Sequence, residues 1–149
     1  MKEEKIKEYL SDSRLRNRQT DKAKIESMIK SAENTAEVTL AIPLAEKSAI
    51  VILREIYEAI RQLGEAQWWI LGYEPIGYAT HETALEALKD LNIKEKVKLN
   101  FLDRFKEIRN NANYRGFVVT INQAQDIILL WRSCGKDIIS NLRKQASDL

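Results

Sequence analysis

The chain has 149 residues, 44% of them hydrophobic and 31% charged, which suits one soluble helical domain with a core of its own. Its 24 basic and 22 acidic side chains leave a formal charge of +2, so a local basic patch is allowed, but the balance alone does not argue for a nucleic-acid partner. Five glycines and two prolines argue against many short strands, the single Cys134 excludes an internal disulfide framework, and no apolar run reaches the length of a membrane span.

Residues 2 to 20 read as a charged N-terminal helical arm. Ile6, Tyr9 and Leu10 give it one weak apolar face, and Arg14, Arg16 and Arg18 follow the polar Ser11, Asp12 and Ser13. A short helix with a mobile basic joint fits this pattern, and so does a solvated terminus. No apolar run follows the opening Met1-Lys2-Glu3-Glu4-Lys5, so no signal peptide is expected. A lone cysteine also fits a reducing compartment, and the expected location is the cytoplasm.

Residues 21 to 149 carry the periodicity of a helical bundle. Ile25, Met28, Ile29, Ala32, Ala36 and Leu40 mark one face of a long helix that Pro43 must interrupt. Ala49, Leu53, Ile56, Ile60 and Leu63 repeat at three and four in the next, widened by Ile50 and Tyr57, and that helix continues to about Leu71 despite Gly64. Gly72 and Pro75 end it, and Thr80-His81-Glu82-Thr83 opens a short helix towards Leu91. A third long helix is expected from about Lys96 to Asn113. The last begins at a capping box, Thr120 to Gln123, and carries Ile128, Trp131, Ile138 and Leu142 to near Ala146. The expected fold is all-α: an up-and-down four-helix bundle with a short extra helix and the N-terminal arm.

Much chemistry is excluded by what is missing. The only histidine is His81, so neither the paired Glu-x-x-His set of a di-iron bundle nor a zinc ligand set can be assembled. No metal and no cofactor are expected, and His81 reads as a helix cap or a surface residue. No glycine-rich phosphate loop is present. Cys134 falls on an apolar helix face and reads as an inert packed thiol. Trp68, Trp69, Tyr73 and Tyr78 read as a plug at one end of the bundle that also offers a subunit contact, so a homodimer is expected.

The stretch Phe105 to Gly116 carries the most chemistry. Leu102, Phe105, Ile108 and Ala112 face a core at helical spacing. At about 100° per residue, Arg109 and Asn113 share one border of that stripe, and Asn110 and Tyr114 lie further round beside Lys106. Guanidinium and amide groups one turn apart suit a phosphate or ribose. The plain alternative is a polar turn ending at a left-handed Gly116.

The Arg109-Asn110 pair near the end of a third long helix, followed by Tyr114, Gly116 and one more helix, resembles the HEPN family (higher eukaryotes and prokaryotes nucleotide-binding). The resemblance covers residues 21 to 149. It implies a nucleic-acid or nucleotide-binding domain in which Arg109 and Asn110 match the first two motif positions; with Asn113 and Tyr114 on the neighbouring faces they form the expected phosphate-binding set. Nuclease members follow the arginine with a histidine a few residues on. Tyr114 and Arg115 stand there instead, and no histidine follows. The implied activity is therefore a degenerate or weak metal-independent RNase, in which arginine holds phosphate charge and binding prevails over cleavage. The alternative is a non-enzymatic homodimeric module, or the partner of a nucleotidyltransferase in a toxin–antitoxin-like pair.

Overall fold

The Asp21 carboxylate accepts a hydrogen bond from the Lys24 amide at 3.0 Å and so caps the first long helix, satisfying a donor that has no intrahelical partner. The computed structural model describes residues 2–149. After a short helix α1 (Glu3–Ser11) and a strand β1 (Leu15–Asn17) come helices α2 (Lys22–Leu40) and α3 (Ala49–Leu71). A second strand β2 (Tyr73–Pro75) leads into α4 (Thr80–Lys89), a 3₁₀ helix (Lys96–Phe101), α5 (Leu102–Arg115) and α6 (Ile121–Ser147). The result is an all-α helical bundle with one two-stranded ladder. None of its helices is long and apolar enough to cross a membrane.

Helix α3 is the axis. Ile52, Leu53, Ile56, Tyr57, Ile60 and Leu63 are all buried, each worth about 1.5–3 kcal/mol of transfer free energy. Helix α5 runs antiparallel to α3: Arg109 lies over Tyr57 and Asn113 meets Arg54. Helix α6 runs parallel to α3, with Ile138 beside Ile60 and Gln145 bonded to Gln67 further along both. The capping box at Thr120 forms in both directions, Gln123 N–H to the threonine hydroxyl and Thr120 N–H to the glutamine side chain. Gly116 ends α5 at φ +68°, where any other residue would be strained.

Three expectations are corrected. The third long helix is α-helical only from Leu102, because residues 96–101 wind at three per turn, which stacks Leu99 beneath Leu102 and buries both. The arm is neither a mobile joint nor a solvated tail. Its β1 pairs antiparallel with β2, Arg16 opposite Glu74, and Tyr9 and Leu15 form a second small core with Trp68 and Ala87. Its arginines are engaged: Arg14 stacks on Tyr9 and donates to Thr83, Arg16 and Arg18 pair with Glu74, and Arg18 covers Trp69. Both tryptophans are buried, Trp68 completely, so neither leaves a ring for a subunit contact. They seal the end of the bundle, but the arm covers them.

Gly64 is where α4 approaches α3. A Cβ there would lie 2.2 Å from the carbonyl oxygen of Ala84. In an open helix Gly→Ala stabilises by about 1 kcal/mol; here backbone faces backbone and neither can yield cheaply. Gly64→Ala is expected to destabilise by about 1–3 kcal/mol in urea unfolding, the cost of overpacking. A stabilised variant would show that α4 does not rest on α3 as described.

Candidate functional site

Leu102, Phe105 and Ala112 bury one face of α5. That orientation carries Lys106, Arg109, Asn110 and Tyr114 round to the side facing the start of α4. Between them and Ala79, Thr80, His81 and Glu82 lies an open cleft of about 460 Å³. Helix α4 begins without a side-chain cap, and its entry residue Ala79 sits at φ +57°, a left-handed conformation that costs a non-glycine residue about 1–2 kcal/mol. No side chain caps the first amides of this helix, whose opening residues line the cleft, and the helix dipole favours negative charge at this end.

Arg109 is half-buried. One of its Nη groups donates to Asn110 Oδ1 at 3.1 Å, and its guanidinium carbon lies 5.8 Å from the Tyr57 ring centre and 5.9 Å from that of Tyr114. Among the described residues no carboxylate pairs with it. The nearby Arg61 behaves oppositely, holding both Glu58 and Glu65 and raised in pKa, first by its hydrogen bonds to Glu58. Burial alone would raise the Glu58 carboxyl, but the Arg61 hydrogen bonds and charge bring it below its ordinary value. Glu58 and Glu65 of α3 are thus engaged by Arg61. Lys106 pairs with Glu82 at 3.7 Å.

The structure brings together three of the four residues singled out in the sequence. Arg109, Asn110 and Tyr114 line the cleft, Tyr114 with 76% of its surface exposed. Asn113 does not join them. Its Oδ1 accepts from Arg54 Nε at 2.6 Å, so it braces α5 against α3 instead.

The residue missed is His81. It neither caps α4 nor stands free at the surface. Its ring stacks on Tyr57 with centres 5.8 Å apart, and Nδ1 lies 3.2 Å from the Tyr57 hydroxyl. Tyr57 is buried, and among the described residues its hydroxyl has no other acceptor, so the O–H donates to Nδ1 and the His81 proton resides on Nε2. Burial holds His81 below its usual pKa, helped by the cations of Arg61 and Arg109 and opposed by Glu58. Burial likewise pushes the Tyr57 phenol well above its ordinary value, so it keeps its proton. No local signal near residue 81 announces this role. It arises from a contact between positions 57 and 81 on different helices.

Among the described residues no group of three or more His, Cys, Asp and Glu side chains is placed to hold a metal ion. Cys134 is buried, its thiol pushed up by burial and then by Glu95. No family model, curated protein or solved structure matches the chain.

The His81 shift has a consequence for stability. The unfolded chain titrates near 6.5 and the folded chain lower, so the unfolded state takes up the proton first as pH falls. The stabilisation from a neutral His81 is complete above 6.5 and is lost as pH falls through the folded value. Compared with His81→Gln, the wild type is expected to lose extra unfolding free energy below that pH. A difference between the two that stays constant from neutral into acid solution would contradict this environment for His81.

Proposed function

We propose that the α4–α5 cleft binds the phosphate of a nucleotide unit, within single-stranded RNA or as a free nucleotide, and that it holds rather than cleaves. The observation that carries this reading is Arg109, a half-exposed guanidinium with no carboxylate partner facing a concave surface. Such a cation sitting beside a set of uncapped amides is what an anion site requires. Asn110 orients the guanidinium through its amide oxygen. Lys106 adds charge, and the exposed Tyr114 ring beside Arg109 offers a face on which a base can stack. The HEPN resemblance of Arg109 and Asn110 leads to the same ligand.

Arg109→Ala should weaken binding of a fluorescent single-stranded RNA by about tenfold or more, equivalent to about 1.4 kcal/mol. It should also flatten the dependence of affinity on salt by about 0.7 in the log–log slope, as expected for one lost phosphate contact. Because the head makes no ion pair, the thermal midpoint should change little. The RNA should emerge intact after incubation with the wild type. Equal RNA affinity in wild type and variant would remove the proposal.

One further observation favours a second reading, an interaction module. Phe101, Phe117, Val118 and Leu129 are exposed, Val118 by 85%. Phe101 and Leu129 line a shallow apolar groove rimmed by Arg104 and Asp126. Lys98 also lines it, and under a two-fold axis Arg104 and Asp126 of one copy can face Asp126 and Arg104 of the other. In this reading the chain is a homodimer through the α5–α6 side, not through the tryptophans, or meets a nucleotidyltransferase there. Sedimentation should give a dimer at micromolar concentration and a monomer for Leu129→Glu; a monomeric wild type would refute the homodimer.

A further inference from the structure

Beyond the motif helix, the cleft has a second wall, and His81 is the one side chain of that wall whose charge can change near neutral pH. We infer that His81 is a phosphate-contacting residue of this cleft, and that its protonation tightens the hold on a phosphodiester. The inference rests on the reading of the cleft as a phosphate site, and deepens it by naming the ligand's charge and a recognition group that the Arg109-Asn110 motif does not contain.

The geometry supports three steps. First, Nδ1 is occupied by the Tyr57 hydroxyl. The atom left for the cleft is Nε2, which carries the proton and can donate to an anionic oxygen. Second, among the residues that line the cleft, Lys106 and Arg109 outnumber Glu82 by one positive charge while His81 is neutral. That balance matches the single charge of an internal phosphodiester better than the two of a terminal phosphate. Third, a proton added to His81 goes to Nδ1, which then donates to the Tyr57 oxygen while the phenol hydrogen turns away. This gives the cleft a second positive charge, and an anion held against Nε2–H must favour that form. By linkage, ligand and proton then strengthen each other equally.

The groups facing the ring are few. From α3 they are Tyr57, Glu58 and Arg61, and from α5 Lys106 and Arg109. Glu82 follows it on its own helix. The Glu58 carboxyl is already paired with Arg61 and held below its ordinary value. His81 is the one imidazole of this set, the side-chain type whose ordinary range lies nearest neutrality.

Because His81 is the only histidine of the chain, its ring protons can be followed by NMR without assignment ambiguity. The experiment titrates the folded protein with pH, free and saturated with a single-stranded oligouridylate, and measures affinity by anisotropy across the same range. The free midpoint should lie below 6.5, and saturation should raise it by on the order of one unit. That corresponds to about tenfold tighter binding of protonated than of neutral protein. His81→Gln, which cannot take up a proton, should bind with a flat pH profile over this window. Tyr57→Phe removes the hydroxyl that positions the ring, and should shrink the ligand-induced shift while binding still depends on Arg109. If RNA binds in an Arg109-dependent way but leaves the His81 midpoint and the pH profile unmoved, this inference falls and the phosphate site stands. If RNA does not bind to the wild type, both fall.

Discussion

Helix α4 lies directly on the backbone of α3 where Gly64 has no side chain, and one turn further on the Trp68 indole N–H donates to the Thr83 carbonyl at 2.6 Å. These two contacts fix how deep α4 sits and which way it is turned. His81 stands two residues before Thr83, so its ring can only come down over Tyr57, and the first turn of α4 can only face α5. A larger residue at position 64 would lift the helix and open the cleft from below. The positive φ of Ala79 belongs to the same constraint: the chain must turn sharply after β2 to set α4 down where Gly64 allows.

The arm then closes the other side of that arrangement. Trp68 carries the hydrogen bond that orients α4, and it is shielded from solvent by Tyr9 and Leu15, which pack with it in the smaller core. The Arg14 side chain runs between these layers, stacking on Tyr9 and donating to the Thr83 hydroxyl. The arginines that read as a mobile basic joint in the sequence are thus engaged in holding α1 and β1 against α3 and α4. On the cleft side the distribution is reversed. Arg61 absorbs Glu58 and Glu65, and Arg54 is tied to Asn113, so Arg109 is left facing the cleft without an anion of its own.

Much of the fold was legible because helical periodicity is a local property. The faces of α2, α3 and α6, the Pro43 break, the Gly72 and Gly116 stops and the Thr120 capping box all follow from residues within one or two turns of each other. What was illegible is non-local. Tyr9, Leu15 and the arginines look like a charged tail until β2 is present to pair with. Trp68 and Trp69 look exposed until that tail covers them. Asn113 shows the limit of angular reasoning, since a border position on a helix can lean towards either neighbour, and Arg54 decides which. His81 is the clearest case. The sequence offers a histidine far upstream of Arg109, and only the crossing of α4 over α3 shows that the two face one cleft.

That crossing also bears on what the cleft can do. A histidine acting as a general base must present an unprotonated nitrogen to the reacting hydroxyl. Here the nitrogen free of a proton is Nδ1, and it is turned inward to a buried phenol that keeps its own proton. The other ring nitrogen, Nε2, carries the hydrogen. To work as a base, His81 would have to exchange tautomers, and the Tyr57 O–H would then be left buried without an acceptor, a loss of about 1–3 kcal/mol. In its neutral form the Tyr57–His81 pair therefore leaves the ring a donor at Nε2 and no free basic nitrogen. The same hydrogen bond that ties His81 to the core of α3 thus also sets which ring nitrogen is left to donate.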